Sequence, residues 1–184
     1  EDTASGEHYC MKTPSVNFED DPAYIERFVM ESWIGSRINS PHVVKVITPR
    51  RPKSCLYYLT EYVNGTTLSR WMRENPKPAV GEAVLLIDQI AKGIRAMHRR
   101  ETLHQDIKPD NILIDHHGQV KIVDFGACHV AGIAEIASPL QRDIALGTAT
   151  YSAPEYTLGL RANYKADLFS LAVISYEMLT GKLP

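Results

Sequence analysis

Asp106, Lys108 and Asn111 stand within one short stretch, His104-Gln105-Asp106-Ile107-Lys108-Pro109-Asp110-Asn111. Thirteen residues after Asn111 comes Asp124-Phe125-Gly126. Carboxylate and carboxamide oxygens are the ligands that a hard cation such as magnesium takes. A carboxylate held beside a hydroxyl can accept its proton. A lysine can neutralise a phosphate. Phosphoryl transfer from ATP calls for this set, because there the protein mainly positions groups and stabilises charge. Asp106, Asn111 and Asp124 could supply the base and two metal ligands, and Lys108 the positive charge. An isolated Asp-x-Lys pair is more often a surface turn. The eight-residue pattern followed by Asp124-Phe125-Gly126 is what points to a site.

These residues need elements to hold them. Glu7 to Lys12 is a short strand-like run. Asp21-Pro22 reads as a helix start, with Asp at the N-cap and Pro at the first helical position. That helix is expected to run to about Ile38, before Ser40-Pro41. Val43–Ile47 and Cys55–Val63 are β-branched or aromatic runs split by Pro49-Arg50-Arg51-Pro52-Lys53, a hairpin pattern. Asn64-Gly65 reads as a turn. Ala83, Ile87, Ile90, Ile94 and Met97 recur at spacings of four and three, one face of a long amphipathic helix. Ile112–Ile114 and Gln119–Val123 are short strands separated by His117-Gly118. Ala127 to Thr150 is long and irregular, as functional or disordered loops are. Tyr164 to Leu179 is a strongly apolar helix closed by Gly181. Strands plus one helix thus dominate the first 60 residues, and helices the rest.

The chain has 184 residues, 44% hydrophobic and 23% charged, with a formal net charge of −2. That is enough apolar material for one domain or two small lobes. The balance of charge shows no basic footprint for nucleic acid. Cys10, Cys55 and Cys128 are an odd count without paired spacing, as reduced thiols in a cytosolic protein would be. No signal peptide is evident. The longest apolar run, Leu168 to Leu179, is broken by Ser170, Ser175 and Glu177 and is no membrane span. The chain begins at Glu1 without an initiator methionine and ends at Gly181-Lys182-Leu183-Pro184, so it reads as a fragment.

The loop from His104 to Asn111 and the Asp124-Phe125-Gly126 triplet resemble the catalytic loop and D-F-G motif of eukaryotic-type protein kinases. The resemblance implies that Asp106 is the catalytic base, that Asn111 and Asp124 hold magnesium, and that Lys108 steadies the γ-phosphate. Two magnesium ions would accompany ATP. Gly147-Thr148-Ala149-Thr150-Tyr151-Ser152-Ala153-Pro154-Glu155 resembles the segment ending in A-P-E. Asp167-Leu168-Phe169-Ser170 resembles the start of the buried helix whose Asp braces the catalytic loop. Tyr9-Cys10-Met11-Lys12 sits where the family has V-A-I-K, so Lys12 would bind the α- and β-phosphates. Glu31, nineteen residues on, is placed like the helix Glu that pairs with that lysine. Leu59-Thr60-Glu61-Tyr62-Val63 resembles the hinge, where the backbone of Glu61 and Val63 would bond adenine and Thr60 would guard the deeper pocket. Leu113 joins this nucleotide-binding set. Lys108-Pro109-Asp110-Asn111 is the serine/threonine form of the loop, and Thr148 would bridge the base and Lys108.

The implied fold is α+β and two-lobed, truncated at both ends. A strand-rich N-lobe with one helix (1–60) leads through a hinge (61–66) into a larger helical C-lobe (67–184). The implied partners are ATP and a protein substrate. The implied place is the cytoplasm, with no nucleic acid and no membrane segment within the chain. Two residues depart from the pattern. Gln105 stands where many kinases carry an Arg that docks a phosphorylated loop. Gly35 stands where the helix usually gives a bulky apolar residue to the stack between the lobes. Val130 to Pro139 resembles bacterial kinases fused to a metal-dependent phosphatase domain, often with a membrane anchor, so a fused phosphatase is expected in the parent protein. The Gly-rich phosphate loop before Lys12 and the helices after Pro184 are missing, so the piece alone is expected to be marginally stable and nearly inactive. Two other readings stay open: a pseudokinase that scaffolds without turnover, and a small-molecule kinase of the aminoglycoside or choline type. The second would lack the segment ending at Ala153-Pro154-Glu155.

Overall fold

The computed structural model describes residues 3, 6–18, 20–49, 54–130, 149–158 and 163–184. Its first layer is a three-stranded antiparallel sheet in the order β1 (Tyr9–Lys12), β3 (Tyr58–Glu61), β2 (Val46–Ile47). The register sets Lys12 opposite Tyr58, Cys10 opposite Thr60 and Val46 opposite Thr60. The expected hairpin therefore forms, with shorter strands than the apolar runs suggested. Val43 leaves it and bridges to Ile122 instead.

Helix α1 (Pro22–Arg37) packs on this sheet through β2. Its start is capped as the sequence predicts: Asp21 Oδ1 accepts from the amides of Ala23 at 2.9 Å and Tyr24 at 3.3 Å. Gly35 is buried on its inner face, and a Cβ there would stand 2.4 Å from Val46 Cγ2 and 2.6 Å from Phe125 Cε2. The bulky residue missing from the helix is thus replaced by closer approach: the Phe125 ring rests directly on the backbone of α1.

The second layer is another antiparallel sheet, β4 (Gly65–Thr67), β6 (Ile112–Asp115) and β7 (Val120–Ile122). Gly65 is its first residue rather than a turn, a correction to the sequence reading. Thr67 then caps α2 (Leu68–Glu74), its Oγ1 accepting from Arg70 N at 3.2 Å. This short helix was not anticipated; its seven residues carry too little periodicity to announce it. Helix α3 (Val80–His98) buries Ala83, Leu86, Ile90, Gly93, Ile94 and Met97. Four of the five residues expected on the inner face are buried; Ile87 is half-buried, and Leu86 and Gly93 join the face. A third, two-stranded sheet joins β5 (Thr102–Leu103) to β8 (His129–Val130). It gives a short ladder to a stretch read as irregular. Strands therefore continue well beyond residue 60.

After a 3₁₀ turn (Ala149–Tyr151) and the one-turn α4 (Pro154–Thr157), α5 (Tyr164–Thr180) lies against α3. It ends as expected: Gly181 takes φ 72° and donates to Glu177 O at 2.8 Å. The left-handed conformation costs glycine little. One apolar core runs through the structure, from Ile34 and Val44 through Phe125, Ile122 and Ile112 to Ile90, Ile94, Ile174 and Met178. Among the described residues no helix is long and apolar enough to cross a membrane.

Candidate functional site

The loop between β5 and β6 carries the first cluster. Pro109–Asn111 forms a 3₁₀ turn that buries Asn111. The Asn111 amide then donates from Nδ2 to both the backbone oxygen and Oδ2 of Asp106, each at 2.9 Å. Lys108 Nζ lies 2.8 Å from the same Oδ2. Asp106, Lys108 and Asn111 therefore form one bonded group, as their spacing within a single turn allows.

Behind this loop stands Asp167, in the first turn of α5 and 1% exposed. Its Oδ2 accepts from His104 N at 3.0 Å and its Oδ1 from Gln105 N at 2.8 Å. The His98 ring contributes Nε2 at 2.8 Å to Oδ2. Burial pushes this carboxyl up, but His98 and the two amides outweigh it and hold the pKa below the usual carboxylate range. A buried carboxylate with three donors meets the requirement that buried charge be hydrogen-bonded. Gln105 itself takes φ 66°, in the left-handed region. Glutamine pays conformational energy there, and the Asp167 bond is one of the contacts that hold it.

His104 is 1% exposed. Its Nε2 faces Val123 O at 3.1 Å and its Nδ1 faces Asp106 N at 3.3 Å. A carbonyl accepts and an amide donates, so these partners assign the proton to Nε2 and a lone pair to Nδ1. Burial lowers the pKa of this ring. It thus ties the Asp106 backbone to the strand end that presents Asp124.

The second cluster joins distant parts of the chain. Lys12 Nζ, from β1, lies 2.9 Å from Asp124 Oδ1 and 3.6 Å from Glu31 Oε2. Burial alone would lower the Lys12 pKa, but the bond and charge of Asp124, with Glu31 behind it, raise it. For Asp124 burial would raise the pKa, and Lys12 more than reverses that. Asp124 also takes φ 70° and accepts from Gly126 N at 3.3 Å. Gln105 and Asp124, both non-glycine residues with positive φ, thus stand one in each cluster's loop, and strained backbone of this kind tends to gather at functional sites.

Thr60 is buried in β3. Glu61 N donates to Lys45 O at 2.9 Å, and Glu61 Oε1 takes Lys121 Nζ at 2.7 Å and Lys45 N at 2.8 Å. Val63 packs on the core, and Leu113 is half-buried in β6 opposite Thr67 and Lys121. Thr148 lies outside the described residues. Sequence reasoning missed Tyr58, His98 and His104 as contributors. Tyr58 could have been found: it is two positions before Thr60 on the inward face of a strand, where a hydroxyl needs a partner.

Oxygen donors from Asp124 and Asn111 suit magnesium, which is held by one or two protein ligands together with phosphates and water. Among the described residues no cluster of three or more His, Cys, Asp or Glu side chains could hold a metal by itself. The donor set therefore fits a cation that arrives with a nucleotide.

Across residues 1–184 the sequence matches the family described as protein kinase domain. Over its whole length the chain is 31% identical to the serine/threonine-protein kinase PrkC of Bacillus subtilis, covering 28% of that protein. It is 32% identical to PknA of Mycobacterium tuberculosis, again over the whole chain and covering 43% of the relative. With the probable serine/threonine-protein kinase PknB of Lactococcus lactis the figures are 31% identity and 29% coverage. The chain thus spans less than half the length of these relatives.

Proposed function

Because the chain belongs to the protein kinase domain family, a two-lobed fold that works with ATP and a divalent metal, we propose that it transfers the γ-phosphoryl group of ATP to serine and threonine hydroxyls of proteins, its own included. The observation that carries this reading is the meeting of Lys12, Glu31 and Asp124, with Asp106, Lys108 and Asn111 bonded to one another on the loop between β5 and β6.

In this reading Asp106 orients the substrate hydroxyl and accepts its proton, and Lys108 neutralises the transferred group. Lys12, anchored by Glu31, holds the α- and β-phosphates. The backbone of Glu61 and Val63 bonds the adenine, with Thr60 behind the ring and Leu113 beneath it. Asn111 and Asp124 would hold two magnesium ions, which when bound neutralise the phosphate charge. Thr148 would bridge Asp106 and Lys108. Residues 1–60, 61–66 and 67–184 divide as N-lobe, hinge and C-lobe. The proposal places the domain in the cytoplasm, where ATP is available and where Cys10, Cys55 and Cys128 stay reduced. The resemblance of 130–139 supports a fused phosphatase domain in the whole protein.

The test is radiolabel transfer from ATP to a generic protein substrate by the full-length protein. Asp106→Asn keeps the shape of the side chain and removes the base. It is expected to lower the rate on the order of 10²–10⁴-fold, and Asp124→Asn at least as much. Transfer by Asp106→Asn at the wild-type rate would overturn the assignment.

A further inference from the structure

Glu31 has a closer partner than Lys12. The Tyr58 hydroxyl donates to Glu31 Oε2 at 2.8 Å, whereas Lys12 Nζ is 3.6 Å from the same oxygen and 2.9 Å from Asp124. Tyr58 belongs to β3, the central strand of the first sheet, and is 2% exposed. Its ring packs against Phe28 of α1 at 5.2 Å between centroids, and Lys12 Nζ stands 5.7 Å above its face. One side chain therefore touches the strand lysine, the helix carboxylate and the helix body.

We propose that Tyr58 is a positioning residue: its hydroxyl latches Glu31, and with it α1, to the first sheet, so that the carboxylate stays in place while Lys12 is engaged by Asp124. The proposal rests on the kinase reading for its effect on turnover, but not for its structural content. A hydrogen bond to a charged acceptor is stronger than one between neutral groups. Burial, and then the negative charge of Glu31, push the Tyr58 pKa up, so the hydroxyl remains a donor across the physiological range. The direct packing of Phe125 on Gly35 supplies a second, apolar tie between α1 and the loop after β7. Together they hold the helix to β3 and to the Phe125 ring.

Tyr58→Phe keeps the ring on Phe28 and removes only the bond. In the full-length protein it should lower kcat/KM for ATP about tenfold, the scale of one hydrogen bond to a charged group, through KM more than kcat. Amide hydrogen exchange across α1 should quicken by a similar factor, while α3 and α5 keep their protection. Glu31→Leu, which carries no acceptor oxygen and leaves Tyr58 in place, should loosen α1 in the same selective way. In the double variant the two effects should fall short of additive, because both remove one interaction. Unchanged α1 exchange in both single variants overturns the latch, and so does full additivity. If the wild-type protein transfers no phosphoryl group, the proposed function falls. The exchange measurement then decides the latch alone: faster α1 exchange upholds it and unchanged exchange rejects it.

Discussion

His104 shows how one buried side chain can make the fold sensitive to acid. Protonation would put a hydrogen on Nδ1, against the Asp106 amide that now donates to it. The folded ring therefore resists its second proton, and its pKa lies below the usual histidine value. The unfolded chain takes that proton near pH 6.5. A depressed folded-state pKa means that stability is full above about pH 6.5 and declines as pH falls below it. Melting temperature is therefore expected to drop between about pH 6.5 and 5. The His104 ring resonances of the folded protein should titrate below the usual histidine range. A normal titration near pH 6.5 would reject the account.

At the scale of elements, α5 serves as the post to which the catalytic loop is tied. Asp167→Asn replaces one carboxylate oxygen with an amide donor facing backbone N–H groups. It should cost roughly 3 kcal/mol, measured by denaturant unfolding, and should lower kcat because the turn at His104–Asp106 loses its anchor. A variant with wild-type stability would show that the three bonds add nothing net. Helix α1 makes the matching case for close approach. Alanine normally improves on glycine within a helix by about 1 kcal/mol. At Gly35 the new Cβ would meet Val46 and the Phe125 ring, and overpacking of this kind costs about 1–3 kcal/mol. Gly35→Ala should therefore melt lower than wild type, while Gly81→Ala, with open space around it, should be neutral or slightly stabilising. Gln105 bears on the segment after Gly126. The residue before Asp106 is this glutamine and not an arginine that could receive a phosphate there. Phosphatase treatment of the full-length protein should then change its initial rate less than tenfold, and a larger drop would show that another basic residue docks the segment.

Among the described residues, one helix carries an apolar surface that the neighbouring elements leave exposed. Helix α5 buries Ala166, Ser170, Val173, Ile174 and Met178 on one side. On the other, Leu168, Phe169, Tyr176 and Leu179 are exposed. A helix apolar all round is normally buried all round, and exposed patches of this kind mark interaction surfaces or aggregation hazards. Residues 1–184 in isolation should therefore self-associate as concentration rises, as read by sedimentation velocity. The double variant Phe169→Lys, Leu179→Lys should remain monomeric to higher concentration. Equal association of the two would place the sticky surface elsewhere.

The sequence alone determined what depends on local spacing. Asp106, Lys108 and Asn111 lie within one short loop, so their types and intervals already pointed to a single site, and the fold shows them bonded to one another. Asp21-Pro22 and Gly181 marked helix ends because capping is a matter of a few adjacent residues. The pairing of Lys12 with Glu31 was legible only through family resemblance, and the closer contact of Lys12 with Asp124, 112 positions along the chain, came from the fold alone. Tertiary structure decided the rest. It filled the gap at Gly35 with the ring of Phe125, turned Gly65 into a strand residue through pairing with Asp115, and gave His129–Val130 a partner in Thr102–Leu103. It also set the Tyr58 hydroxyl on Glu31, and His98 and two amides on Asp167. Such contacts depend on the three-dimensional approach of surfaces and on the need of buried polar groups for partners. Neither is written in the spacing of residues along the chain.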